Sequence, residues 1–310
     1  MTTRDSARSF DVWRRCAART AAVFLAVLVV LAGHPLADEF RPEGAPLRIA
    51  VVAYQDAVKG LGAVERALFD LRTAAGLKEP LAVARGTYAD ILHWLETGAV
   101  DLAVVSPALL GKALELGGTV RWEYLASVKS ASDPSPSRSV AIVREDSPVR
   151  TAEDLRSLLV RGEARLLFVD PLSVSGALAP RVALAAAHIT VPEGRIRFTH
   201  SHTNSLRALG SGEANDAVAF VWNGMLDEAA MTGLRRIDLP ALAALRIPRN
   251  ALIVRSDLPQ LERLRATVNA PARAPVAAGT ALVVEPAWRE GAAEVRGWLA
   301  TVGTLPPDRL

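Results

Sequence analysis

A single cysteine, Cys16, occurs in the 310 residues. It lies ahead of the first apolar run, so a chain cut behind that run holds no thiol at all. Disulfides and cysteine-based metal sites are thereby excluded, and Cys16 is not placed for lipid attachment, which would put it after the apolar run. Long charged tracts are missing as well, while half of the residues are hydrophobic, which excludes disorder and allows one large core or two moderate ones. The apolar run "TAAVFLAVLVVLAG", Thr20 to Gly33, has 14 residues, short of the about 20 that a bilayer-spanning helix needs. No internal repeat is evident.

That run is preceded by Arg14, Arg15 and Arg19 and followed by "HPLADEF", which supplies the basic, apolar and small-residue parts of a secretory signal. Residues 1–37 are therefore read as a signal peptide cleaved after Ala37; left in place, the segment would be an N-terminal anchor. Its removal takes away five arginines and two aspartates and leaves 31 basic and 31 acidic side chains. The basic pI of 9.3 thus belongs largely to the export signal. A folded part without net charge lacks the basic surface that nucleic acid requires. Nucleic-acid binding is excluded on that ground, and a periplasmic location is expected.

Beyond the linker "RPEGAP", β-branched runs alternate with helical periodicity. "LRIAVVAY" (Leu47 to Tyr54) reads as a buried strand, Ala63 to Ala75 as a helix with Val64, Leu68 and Leu71 on one face, and "PLAVARG" as a second strand. A helix opens at Thr87 as N-cap and stops at Gly98, and a third strand spans Val100 to Val105. This is the alternation of a parallel sheet. "VRWEYLASVKS" and "SRSVAIVRED" are extended segments joined by a Pro/Ser-rich loop, and they read as a crossing between lobes. The alternation then restarts. Thr151 caps a helix, Arg165 to Val169 is a strand, and a helix runs to Ala187; "RIRFTH", a helix from Thr203, "DAVAFVW" and a helix from Asn223 follow. "LRRIDL", "RNALIVRSDLP" and helices around Leu258 to Val268 and Ala287 to Val302 complete the chain. Two α/β lobes result: residues 38–131 with 235–310, and residues 132–234 between them, joined by two segments that form a hinge.

The segment "FVDPLSVSGALAP" places Ser173, Ser175 and Gly176 at the mouth of a helix. A helix N-terminus offers about four N–H groups without intrahelical partners and roughly half a positive charge. Ser173 and Ser175 add hydroxyl donors, and Gly176 lets the backbone approach a ligand with no Cβ in the way. The pattern suits an oxyanion; the plain reading of the same residues is a helix start with Ser173 or Ser175 as N-cap.

Together with "IRFTHSHTNSLRALGSGEANDAVAF", "YADILHWLETGAVDLAVVSP" and "RIPRNALIVRSDLP", this segment resembles the PhnD-like phosphate, phosphite and phosphonate binding proteins of ABC importers over residues 47–268. The resemblance implies a two-lobed α/β fold of the second periplasmic-binding-protein topology, with a mixed, mainly parallel sheet in each lobe, closing on an oxyanion. It implies His202 as a donor to the ligand, and no cofactor. The chain departs from the family pattern in two places. Val174 stands where the family has a threonine, which removes one hydroxyl, and Ser106 to Leu110 ends without the family's aromatic.

Tyr54, Ser106 and Asn223 follow strands, where open α/β sheets bind ligands, and they complete the candidate set, each with a structural alternative. Tyr88 is divided between the cleft and packing on Trp94. Thr203 and Asn204 are candidates to cap their helix. His200 and His202 form a His-x-His pair, but no third ligand is near, so no metal site is expected. A hydrolase built on Ser175, His202 and Asp170 lacks the glycine two positions before the serine that a nucleophile elbow needs, and no enzyme is expected. The expected function is that of a monomeric exported solute-binding protein handing a small oxyanion to an ABC permease. The alternative is a sensor domain reporting to a membrane histidine kinase.

Overall fold

The computed structural model describes residues 44–52, 61–116, 120–130, 137–226, 231–270, 276–277, 280–283 and 293–300. Residues 1–37, read from the sequence as a signal peptide, Tyr54 and most of the first crossing, 131–136, lie outside the described residues.

The larger lobe opens with strand β1 (Leu47–Val52), helix α1 (Leu61–Ala74), β2 (Leu81–Gly86), α2 (Tyr88–Thr97), β3 (Leu102–Val105) and α3 (Pro107–Glu115), then β4 (Trp122–Ser130). Both neighbours of β1, strands β2 and β3, run parallel to it. Burial explains why β1 and β3 are continuous apolar runs instead of alternating ones, since each is covered on both faces, whereas the edge strand β2 leaves Ala82 and Arg85 exposed. Ile49 and Val51 point to one face with Leu68 and Leu71 of α1, while Ala50 and Val52 point to the other with Ile91 and Leu95 of α2. Helix α2 begins and ends where its sequence demands. Thr87 and Asp90 form a reciprocal capping box, and Gly98 takes the left-handed conformation, φ 66°, at the C-cap.

The smaller lobe holds β5 (Ser139–Arg144), α4 (Ala152–Val160), β6 (Arg165–Phe168), a π-helical turn (Val174–Leu178) running into α5 (Ala179–Ala186), and β7 (Ile196–Phe198). It continues with α6 (His202–Gly210), β8 (Ala217–Trp222) and β9 (Leu234–Ile237). Its sheet order is β7-β6-β8-β5-β9, with β6 parallel to β7 and β8, and β5 antiparallel to β8 and β9. Phe168, Phe220 and Ala141 face α4 and α5; Leu167, Ala219 and Ile142 face α6.

After the short helix α7 (Pro240–Ala243) the chain returns as β10 (Ala251–Arg255), which inserts antiparallel between β3 and β4. Helix α8 (Leu261–Asn269), the hairpin β11 (Val276–Ala277) with β12 (Thr280–Val283), and a helix α9 over 293–300 follow. The larger sheet therefore reads β11-β12-β4-β10-β3-β1-β2. Its two crossings to the smaller lobe lie side by side, with the Ile247 amide donating to Ser137 O at 3.1 Å.

Three expectations change. Strand β9 pairs with β5, so the return to the larger lobe falls after Ile237 instead of at 234/235. Helix α9 does not belong to the larger lobe alone: Val295 and Trp298 are buried in the core of the smaller one, and a Cβ on Gly111 of α3 would stand 3.3 Å from Arg296 and 3.5 Å from Leu299. The helix expected from Asn223 is a single 3-10 turn, Asn223–Met225, over the residues described there.

Candidate functional site

The residues that follow β2 and β3 in the larger lobe meet the segment that follows β6 in the smaller one, through Tyr88 and Ser106. Asp170 opens an Asx turn: its carboxylate accepts from the Leu172 amide at 2.9 Å, and its carbonyl accepts from the Ser173 amide at 2.9 Å. Ser173 is then the N-cap, its Oγ accepting from the Gly176 amide at 3.1 Å. The first turn is π-helical, and the Ala177 and Leu178 amides both reach Ser173 O, at 2.9 and 3.0 Å. Of the first amides of this helix, those of Val174 and Ser175 have no partner among the described residues. Two N–H groups at a positive helix end are left for a ligand.

Ser175 is held differently from Ser173. Its hydroxyl lies 3.3 Å from His202 Nε2, and His202 Nδ1 accepts from the Trp222 amide at 3.3 Å. An acceptor at Nδ1 places the ring proton on Nε2, so His202 donates to Ser175 Oγ. The hydroxyl proton of Ser175 is consequently turned to another acceptor. Burial pushes the His202 pKa down to about 4, which keeps the ring neutral. In this structure His202 Nε2 thus meets Ser175 Oγ. The same geometry leaves a Ser-His-Asp relay unassembled, because Nδ1 is engaged by a backbone amide and cannot donate to Asp170.

Gly176 has a reason that is not a ligand. The Val169 amide donates to Gly176 O at 3.0 Å and draws the two backbones together, and a Cβ on Gly176 would stand 2.4 Å from Val169 Cγ2. Gly176→Ala is expected to lower stability by about 1–3 kcal/mol, the usual range for overpacking a core; urea unfolding checks it, and an unchanged midpoint would refute the contact.

Two residues of the larger lobe reach over to this segment. Ser106 is the N-cap of α3, accepting from the Leu109 amide at 3.3 Å, and its hydroxyl donates to Leu172 O at 3.3 Å. Tyr88, at the first position of α2, is buried and its hydroxyl meets the Ser173 side chain. Burial raises the phenol pKa, the Ser173 hydrogen bond lowers it, and the Asp170 charge raises it further. Sequence reasoning left Tyr88 out of the candidate set, although its place directly after a strand and cap was the available signal.

Asn223 is only half-buried and serves the crossing: its Oδ1 accepts from the Arg138 amide and its own amide donates to Arg138 O, both at 3.0 Å. Trp222 beside it donates from Nε1 to Ser137 Oγ at 2.7 Å. His200 is exposed in the left-handed region, φ 63°, with its amide on Val169 O. It does not pair with His202, and no group of three or more His, Cys, Asp or Glu among the described residues is placed to hold a metal. The cap of α6 is Ser201, which accepts from the Asn204 amide at 3.1 Å, and not Thr203 or Asn204. Tyr54 lies outside the described residues.

The sequence model of the family described as ABC transporter, phosphonate, periplasmic substrate-binding protein matches residues 49–296. The chain belongs to this family. It is therefore a solute-binding component of an ABC transporter, exported and working with a permease. No curated protein matches the sequence. A binding-protein component of an ABC phosphonate transporter from Pseudomonas aeruginosa superposes with a TM-score of 0.61 at 17% identity, covering 84% of this chain and 96% of its own. PhnD1 from Prochlorococcus marinus, in complex with methylphosphonate, gives 0.59 at 12% identity, covering 85% and 100%. A chloride-bound protein from Xanthomonas citri gives 0.60 at 15% identity, covering 83% and 98%. Likeness at these identities establishes the fold, which is the two-lobed type II periplasmic-binding-protein fold.

Proposed function

We propose that this phosphonate-family protein captures a small phosphonate-, phosphite- or phosphate-like oxyanion between its lobes and delivers it to the permease. The observation that carries the reading is the Trp222–His202–Ser175 series, which leaves the Ser175 hydroxyl proton for a further acceptor beside the partnerless amides of Val174 and Ser175. All three are donors, as an oxyanion requires. Ser173 supports the turn instead of the ligand, since its oxygen serves the Gly176 amide and Tyr88. Residues 1–37 are taken to be removed on export, and Tyr54 to supply the larger lobe's contact.

Thermal-shift titration of residues 38–310 against phosphate, phosphite and methylphosphonate tests this. A ligand that binds only the folded form raises stability by about 2.7 kcal/mol at a hundred times its Kd. Ser175→Ala is expected to weaken that ligand about tenfold to a hundredfold, the worth of one hydrogen bond to a charged acceptor. Wild-type affinity in Ser175→Ala would remove the serine from the site. No shift with any of the three oxyanions would overturn the ligand class.

A further inference from the structure

The donors just described are all neutral, yet the ligand class carries up to two negative charges. Val174 adds no hydroxyl, His202 is a neutral imidazole, and Asp170 in the same segment adds a carboxylate of its own. The helix end and its free amides offset part of such a charge. A cationic side chain from another part of the fold would offset more.

Three arginines have a buried Nε without a hydrogen-bond partner: Arg138, Arg156 and Arg181. Two of them are otherwise satisfied. Arg156 pairs with Glu153 at 2.5 Å and donates to Ala187 O at 2.6 Å. Arg181 lies over the rings of Phe168 and Phe198, 5.3 and 5.7 Å from their centroids, and its charge meets two aromatic faces. Arg138 has neither. Its buried Nε meets no hydrogen-bond partner among the described residues. A buried N–H so left calls for an explanation.

Its position supplies one. The Arg138 backbone is clamped on both sides by Asn223, at the cleft end of β8. The residue before it, Ser137, takes the Trp222 indole N–H, and the residue after it, Ser139, donates to Ser175 O at 2.6 Å. Arg138 is thus one residue from a direct contact with the serine whose hydroxyl faces outward, and two hydrogen bonds from His202 through Trp222. It also sits on the crossing segment, beside Ile247 of the other crossing. A guanidinium fork matches the oxygens of a phosphonate or phosphate in a bidentate fashion.

We propose that Arg138 is the charge partner of the bound oxyanion and makes the site selective for doubly over singly charged ligands. The proposal rests on the oxyanion reading of the site. Arg138 replaces, as a charge, the hydroxyl that Val174 does not provide.

The test compares wild type with Arg138→Met and Arg138→Lys by calorimetric titration. Methylphosphonate is used at a pH where it is doubly ionised, and methanesulfonate serves as the singly charged molecule of the same shape. Phosphate and phosphite extend the series. The wild type should prefer the dianion. Arg138→Met should lose about tenfold to a hundredfold on the dianion and far less on methanesulfonate, Arg138→Lys should recover part of the loss, and the ligand-free Tm of Arg138→Met should not fall. An Arg138→Met variant that keeps wild-type affinity, or that loses both ligands equally, overturns the assignment while leaving the oxyanion reading in place. So does a wild type that binds the two charge classes alike. A wild type that binds none of the oxyanions overturns both.

Discussion

Replacing Asp101 by alanine is expected to lower stability by about 3–5 kcal/mol, the loss found when one partner of a buried ion pair is removed. Asp101 is fully buried at the end of the larger sheet away from the cleft. Its carboxylate accepts from the Arg48 amide at 2.7 Å, from Arg48 Nη2 at 2.8 Å and from Arg48 Nε at 3.3 Å, with Arg255 Nη1 at 3.9 Å. The same two arginines donate to Gly98 O, at 3.4 and 3.3 Å, where α2 ends. Removing the acid therefore takes the carboxylate from Arg48 and the acceptor from its backbone N–H, while Arg255 keeps its pair with Asp257, and it loosens the junction of β1, β3, β10 and α2. Domains are stable by about 5–15 kcal/mol in all, so the variant should unfold at a much lower urea concentration. Its ligand affinity, measured where it is still folded, should equal that of the wild type. A midpoint within error of wild type would show that the network carries no net stability.

Acid should act through His202. Its pKa lies at about 4 in the folded protein, by burial, against 6.5 for the free side chain. Above pH 6.5 both states hold the ring neutral and its contribution is complete. As pH falls below 6.5 the unfolded chain takes up the proton first, so stability is lost progressively until the folded pKa is passed at about 4. At about 1.4 kcal/mol per unit the loss is on the order of 3 kcal/mol. Asp170, whose carboxyl is raised by burial, works in the opposite direction, and it is common to wild type and variant. Urea midpoints at pH 7.5, 5.5 and 4 should therefore decline more steeply for wild type than for His202→Gln. Parallel declines would mean that the imidazole is not held neutral.

Local signals were the readable part of this fold. The Thr87–Asp90 and Thr151–Asp154 capping boxes both form as their spacing demands, and every long β-branched run became a strand. Helix α3 went unread, although Ser106 followed by Pro107 is the cap-and-first-turn pattern of a helix start. Strand β11 has two residues and no period to read. It exists because β12 pairs with β4 from over a hundred residues away. At α6 four polar residues in succession could each cap. Ser201 does so because the Thr199 and His200 amides, bonded to Phe168 O and Val169 O, hold the chain as far as His200, whose left-handed turn delivers Ser201 in the extended conformation of an N-cap. The site was legible as a set of residue types but not as a division of labour. Which serine caps and which faces outward is decided by His202, Trp222 and Tyr88, none of them local to the motif.

The contact between Ile247 and Ser137 also bears on what it costs to close the larger sheet. Strand β10 has to insert between β3 and β4, yet the connection from Ser130 to Ala251 is roughly 120 residues long. Once the smaller lobe has formed, the 3.1 Å bond between its entry and exit brings the ends of that connection together, and the effective loop shrinks about tenfold. At about 0.6 kcal/mol for each doubling of length, this relieves roughly 2 kcal/mol of closure entropy. The inserted lobe thereby lowers the entropic cost of completing the sheet that surrounds it.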